Sequence, residues 1–154
     1  MSVILGIDPG PERSAWLVWD TETERPRGFA IQENEKLVAM LRTPSTDLMT
    51  GLTVIEQVQS YGMSVGAEVF ETVYWSGRFA EAVWPAHVVR ITRPTVKTRL
   101  CGTPRAKDGN VRQALMDRFG GSKAKGTKKD PGPLYGISKD VWSALALVVA
   151  WGEA

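Results

Sequence analysis

Apolar and polar positions along the chain fall into short blocks of two different periods. Val3–Asp8 is an apolar run closed by Asp-Pro-Gly, which reads as a strand entering a tight turn. Residues 14–19 are rich in strand formers and are expected to pair antiparallel with the first run across residues 9–13. After a polar turn at 21–26, residues 28–32 make a third strand. Asn34 suits the N-cap of a helix reaching about Arg42, with Leu37, Met40 and Leu41 on one face, and residues 43–50 read as loop. A second apolar run covers 52–58 and is interrupted by Glu56, where a buried strand should carry no charge.

The second half is mostly helical. Residues 64–83 place Val69, Val73, Trp75, Phe79 and Val83 near helical spacing. A short strand at 88–91 is followed by Arg93-Pro94, a helix start running to about Leu100. Residues 103–107 form a basic turn, and 108–119 a helix stopped by Gly120-Gly121. Residues 120–134 contain Gly, Lys and Pro with little apolar material, and are expected to be a mobile surface loop. Residues 138–151 close the chain as a helix with Ser138 as N-cap. Three antiparallel strands entering a mixed sheet with helices on its faces is α/β architecture, in a single domain over 1–154.

Composition narrows the class. The apolar share of 43% fills a core, and no apolar run approaches the roughly 20 residues that span a bilayer, so no membrane partner is expected. The start of the chain carries no basic leader or small-residue cleavage site, and the lone Cys101 can build neither a disulfide framework nor a cysteine metal site. These features point to the cytoplasm. Charge is uneven. Up to His87 there are 6 Lys/Arg against 12 Asp/Glu, whereas residues 88–129 carry 12 against 2. That split suits a polyanion-binding enzyme with a carboxylate site, and equally an ordinary solvated surface.

Three carboxylates stand out. Asp8 ends the first apolar strand, Glu56 interrupts another, and Asp140 lies in the first turn of the last apolar helix. A buried carboxylate costs several kcal/mol unless it is paired or bound to metal, and no Lys, Arg or His stands near Asp8 or Glu56 along their own strands. If the first and fourth strands are neighbours and the last helix crosses them, the three acids converge, and a hard divalent ion would relieve their repulsion. Two such ions can drive phosphodiester hydrolysis. Each acid also has a plainer reading: Asp8 can simply begin a turn, and Asp140 can complement the helix dipole.

Gly6-Ile7-Asp8-Pro9-Gly10, Val54-Ile55-Glu56-Gln57-Val58 and the closing Asp140-Val141-Trp142-Ser143-Ala144-Leu145-Ala146 resemble the RuvC family of Holliday-junction resolvases. The similarity extends through Val96-Lys97, Gly102 and Ala106-Lys107, in order along nearly the whole chain. The loop at 131–136 and the Trp142 ending resemble phage-encoded members. The resemblance implies an RNase H-like fold: a mixed five-stranded sheet, three antiparallel strands plus parallel ones, with helices on both faces. It implies that Asp8, Glu56 and Asp140 are catalytic and bind Mg²⁺ or Mn²⁺, two ions per site. It further implies a homodimer that resolves four-way DNA junctions by paired nicks, with Lys97 and Lys107 facing DNA.

Two departures stand out. The family's fourth acid, three residues after the third, is Ser143 here, which shares a helix face with Asp140 and can reach the site through its hydroxyl. Asp130 is the one acid expected to substitute for it. The aromatic usually found after Glu-Gln-Val is Gln59, which leaves Tyr61 as the nearest ring for stacking on an unpaired base. Arg105 in the basic turn and Lys123, Lys125, Lys128 and Lys129 in the following loop are candidates for phosphate contacts. Trp75, Phe79 and Trp84 are assigned to core or dimer contact, and His87 to no catalytic role. Competing readings are a broader branched-DNA endonuclease acting on flaps and forks, and a junction-binding module without catalysis. An actin-like or sugar-kinase phosphate motif at Gly-Ile-Asp-Pro-Gly is disfavoured, because such proteins need two domains.

Overall fold

A computed structural model describes residues 3–43 and 51–152, so most of the loop expected at 43–50 lies outside the described residues. Strands β1 (Val3–Asp8), β2 (Arg13–Asp20) and β3 (Arg25–Glu33) form an antiparallel meander. Strands β4 (Leu52–Glu56) and β5 (His87–Ile91) add in parallel on the other side of β1, giving the order β3-β2-β1-β4-β5. Parallel neighbours need crossovers, and helix α2 (Ala67–Ala82) supplies the one between β4 and β5. Helix α1 (Asn34–Arg42) precedes β4, and α3 (Arg93–Cys101), α4 (Asp108–Arg118) and α5 (Val141–Gly152) follow the sheet. This is the mixed five-stranded α/β arrangement expected.

Strand alternation sorts the core into two layers. Leu5, Ile7, Val18 and Ile55 face Leu37 and Val38 of α1 and Phe79 and Ala82 of α2. Ile4, Gly6 and Asp8 therefore point to the opposite face, where α5 packs with Leu17, Trp19, Val54 and Ile91. Nine residues of α5 are buried, including Leu145, Leu147 and Val148, which accounts for its apolar composition all round. Each such Leu or Val contributes roughly 1.5–3 kcal/mol. Among the described residues no helix is long and apolar enough to cross a membrane.

Gly6 is what lets α5 lie this close to β1. A Cβ there would stand 2.5 Å from the Ala144 carbonyl oxygen and 2.7 Å from Val148 Cγ2. At the end of the same strand the turn is tied by a small polar network. Gly10 N–H donates to Ser14 Oγ (3.0 Å), Ser14 Oγ donates to Asn34 Oδ1 (2.6 Å), and Asn34 Nδ2 donates to the Gly10 carbonyl (2.9 Å). Asn34 is thus the first residue of α1 rather than its N-cap, a position Glu33 holds; its side chain is used across the turn.

Other expectations are corrected by their partners. The run at 52–58 stops pairing at Glu56, because β5 ends at Ile91, its register partner; Glu56 is terminal and does not interrupt the strand. Helix α2 is shorter than 64–83. Asp140 immediately precedes α5 and is exposed, and Ser138 accepts from Val141 N–H through its carbonyl, one turn before the helix. Residues 120–134 are not a free loop. Ala124 and Leu134 are fully buried, Leu134 N–H donates to the Ala124 carbonyl (2.8 Å), and a bridge joins Gly126 to Pro131. Two apolar side chains suffice to anchor the segment. Buried Asp20 serves the β2–β3 turn: N–H groups of Thr23 and Glu22, with Arg27 at 2.9 Å, hold its carboxyl below the usual range.

Gly6→Ala is expected to lower stability by about 2–3 kcal/mol through overpacking against α5. Gly77→Ala in α2, where an added Cβ meets nothing within 4 Å, should change it by no more than about 1 kcal/mol. Urea denaturation midpoints check both, and an unchanged midpoint for Gly6→Ala would refute the close-approach argument.

Candidate active site

The β1–β4 register pairs Ile7 with Ile55, so Asp8 and Glu56 are the next residues along two adjacent parallel strands. Both point to the α5 face, since Gly6 and Val54, two residues earlier, do so. Asp140 arrives from the N-terminal end of α5, whose dipole favours negative charge there. The three acids differ in environment: Asp8 is buried (9% exposed), Glu56 is half-buried and Asp140 is exposed.

Burial is the main force on Asp8. Desolvation, reinforced by the charge of Glu56, opposed by Arg93 and reinforced again by Asp140 and Asp108, pushes its pKa up from 3.8 to about 8. Asp8 is therefore a carboxyl that ionises at neutral pH only with more positive charge nearby than Arg93 supplies.

Glu56, Asp140 and Ser143 line one cleft of about 180 Å³ together with Arg93, Lys97, Asp108, Arg112, Lys139 and Trp142. Arg93 follows β5 directly. Thr92 caps α3 by accepting from Thr95 N–H, with Pro94 in the first turn, which fixes the Arg93 backbone beside the cleft. Its Nη2 and Nε donate to Glu56 Oε1 at 3.1 and 3.3 Å, and its Nη1 reaches Asp108 Oδ1 at 3.5 Å. Against the desolvation that burial imposes, Glu56, Asp8 and Asp108 hold this guanidinium in its charged form. Lys97 Nζ also approaches Asp108 Oδ1, at 3.8 Å. The absence of a cation along the strands of Asp8 and Glu56 is thus made good from the next element.

Of the remaining candidates, Lys97 lines the cleft, whereas Lys107 and Arg105 do not and stand on the exposed connection between α3 and α4, away from it in the lining. Lys125 places its ammonium over the Trp142 ring (5.7 Å), so one lysine of the 123–129 segment is held beside the cleft; Lys123, Lys128 and Lys129 are exposed on the same segment. Tyr61 is exposed on the β4–α2 connection, at positive φ. Asp130 is exposed and does not line the cleft; Asp108 is the further acid in its lining. Arg93, Asp108, Arg112 and Lys139 line the cleft without being singled out for the site by the sequence. Asp108 carried a usable signal, being one of two acids within the basic stretch 88–129.

A divalent cation suits the donor set chemically. The oxygens are hard, and the buried Asp8 needs a compensating charge. As placed, no three acidic, histidine or cysteine side chains among the described residues converge tightly enough to hold one, and Glu56 is engaged by Arg93.

No protein-family model matches the chain, and no curated protein does. Solved structures do. A Thermus thermophilus RuvC structure superposes with a TM-score of 0.73 at 17% identity, covering 98% of this chain and 93% of that one. T. thermophilus RuvC in complex with Holliday junction substrate gives 0.71 at 17% identity, covering 97% and 92%. The yeast mitochondrial Holliday junction resolvase Ydc2 gives 0.54 at 9% identity, covering 99% and 78%. The chain has the RNase H-like fold of these proteins.

Asp8 ties stability to pH. Between about pH 4 and 8 the folded, metal-free protein keeps a proton on Asp8 that the unfolded chain has lost, so stability falls as pH rises, by up to roughly 1.4 kcal/mol per pH unit. Asp8→Asn should flatten this dependence and melt higher than the parent at pH 8. Thermal melts at pH 5 and pH 8 decide the matter; identical pH dependence in parent and variant would contradict a strongly raised Asp8.

Proposed function

We propose that this protein is a divalent-metal-dependent endonuclease that binds four-way DNA junctions and resolves them by paired phosphodiester hydrolysis. The observation that carries the reading is the buried Asp8 carboxyl, set beside Glu56 and facing the N-terminal end of α5 and Asp140. The shared fold with a protein solved on Holliday junction substrate supports the choice of DNA.

Asp8, Glu56 and Asp140 would hold the metal, with Ser143 contributing through its hydroxyl. When bound, one or two Mg²⁺ or Mn²⁺ ions would activate the attacking water and stabilise the leaving oxygen. The chain's own residues bring the phosphodiester there. Lys97, Arg112 and Lys139 around the cleft attract backbone phosphates, and Lys125, fixed over Trp142, extends that surface toward Lys123, Lys128 and Lys129. Arg105 and Lys107 lengthen the basic track across the α3–α4 connection. Tyr61 is exposed enough to stack on a base unpaired at the branch point.

Paired nicks need two sites, and a second copy of the chain supplies the other. Phe70, Val73 and Tyr74 occur at helical spacing on the outer side of α2, with Phe70 65% and Tyr74 57% exposed. Trp84, beyond the end of α2, is more exposed still, whereas Phe79 belongs to the core and Trp75 is partly buried against it. An apolar stripe of this kind suits a self-complementary dimer contact. The enzyme would work in the cytoplasm.

Two experiments test this. On a labelled synthetic four-way junction in Mg²⁺, cuts mapped on all four strands should fall as symmetric pairs, and Asp8→Asn should lose at least about a hundredfold in cleavage rate while still shifting the junction in a gel. Full activity in that variant would sink the mechanism, and comparable cutting of flaps or forks would favour the broader branched-DNA enzyme. Phe70→Glu with Tyr74→Glu should sediment as a monomer where the parent is a dimer, with unpaired single nicks; an unchanged dimer would remove α2 from the interface.

A further inference from the structure

The Arg93 guanidinium does in this protein what a metal ion is proposed to do: it neutralises the carboxylate end of β4. We propose that Arg93 is a built-in cation of the site, which competes with the divalent ion for Glu56 and is held aside by Asp108 when the ion enters. The inference deepens the metal-dependent reading and rests on it.

Three features carry it. Both donors that Arg93 gives to Glu56, Nε and Nη2, converge on the single oxygen Oε1, and its remaining amino group points to a different acid, Asp108. The guanidinium therefore spans two carboxylates, with one on each side between which its side chain can be shared. Its backbone is fixed by the end of β5 and the capped start of α3, so a change of partner needs only side-chain rotation. Finally, Asp108 has little structural work of its own: its side chain is 74% exposed, at the first turn of α4, and its contacts are Arg93 and Lys97.

Charge then orders the states. Without an ion, Glu56 is half-buried beside a buried Asp8, and Arg93 supplies the positive charge at Glu56. A dication at Glu56 repels Arg93, which Asp108 can retain within the cleft, close to where backbone phosphates would lie. Binding of metal and release of Glu56 by Arg93 are thereby one coupled equilibrium.

Calorimetric titration with Mg²⁺ alone, without DNA, tests this on the full chain. Arg93→Gln should bind Mg²⁺ roughly tenfold more tightly than the parent, as expected for a coupled competitor. Arg93→Lys, whose ammonium cannot bridge two acids, should also bind more tightly, by less, and carries the test alone should Arg93→Gln not fold. Asp108→Asn should weaken binding in the parent and change nothing in the Arg93→Gln background. Equal or weaker binding by the Arg93 variants overturns the competition. An Asp108→Asn effect of the same size in both backgrounds makes Asp108 a ligand of the ion and overturns its holding role. No Mg²⁺ binding by parent or variants overturns the metal site of the proposed function itself, and this inference with it.

Discussion

The contact between Gly6 and α5 is the constraint on which the rest of the site depends. A helix that is apolar on all sides must be enclosed, and α5 is enclosed by lying against the middle of the sheet at a strand position with no side chain. Once it lies there, alternation along β1 requires that Asp8, two residues beyond Gly6, face the same way. The carboxyl at the end of the central strand is then buried by the hydrophobic packing that stabilises the fold. Stability and a costly charge come from the same arrangement.

The molecule meets that cost by gathering charge of both signs at one edge. Glu56 comes from the neighbouring parallel strand, and Arg93 from the helix that follows the next one. Because β4 and β5 are parallel, their C-terminal ends and the elements after them open on the same side of the sheet, a common place for sites in α/β folds. Asp108, Lys97, Arg112 and Lys139 complete the cleft lining, so charges of both signs surround it.

Much of this was legible in the chain before folding. The five strands and five helices follow from period and punctuation, and Asp8 stands out as an acid closing an apolar run and Glu56 as an acid within one, although the structure makes Glu56 terminal. What failed did so for identifiable reasons. Asn34 has the chemistry of a cap, yet a hydroxyl from Ser14 and the Gly10 backbone, distant in sequence, competed for it. The 120–134 segment looked polar by composition, but two buried side chains outweigh many exposed lysines. Arg93 escaped because its partner is 37 residues away and the β4–β5 register that joins them is not a local property. The departure at Ser143 is visible in the sequence, whereas the place of Asp108 in the same cleft lining depends on how α4 packs.

Manganese is the most direct probe of the central claim, because its anomalous scattering locates the ion without reference to activity. Crystals of the unmodified protein grown with Mn²⁺ should show a peak bounded by the carboxylates of Asp8, Glu56 and Asp140, with the Arg93 guanidinium turned away from Glu56. Saturating Mn²⁺ with no peak among these three side chains, and Arg93 still bonded to Glu56, would contradict the account.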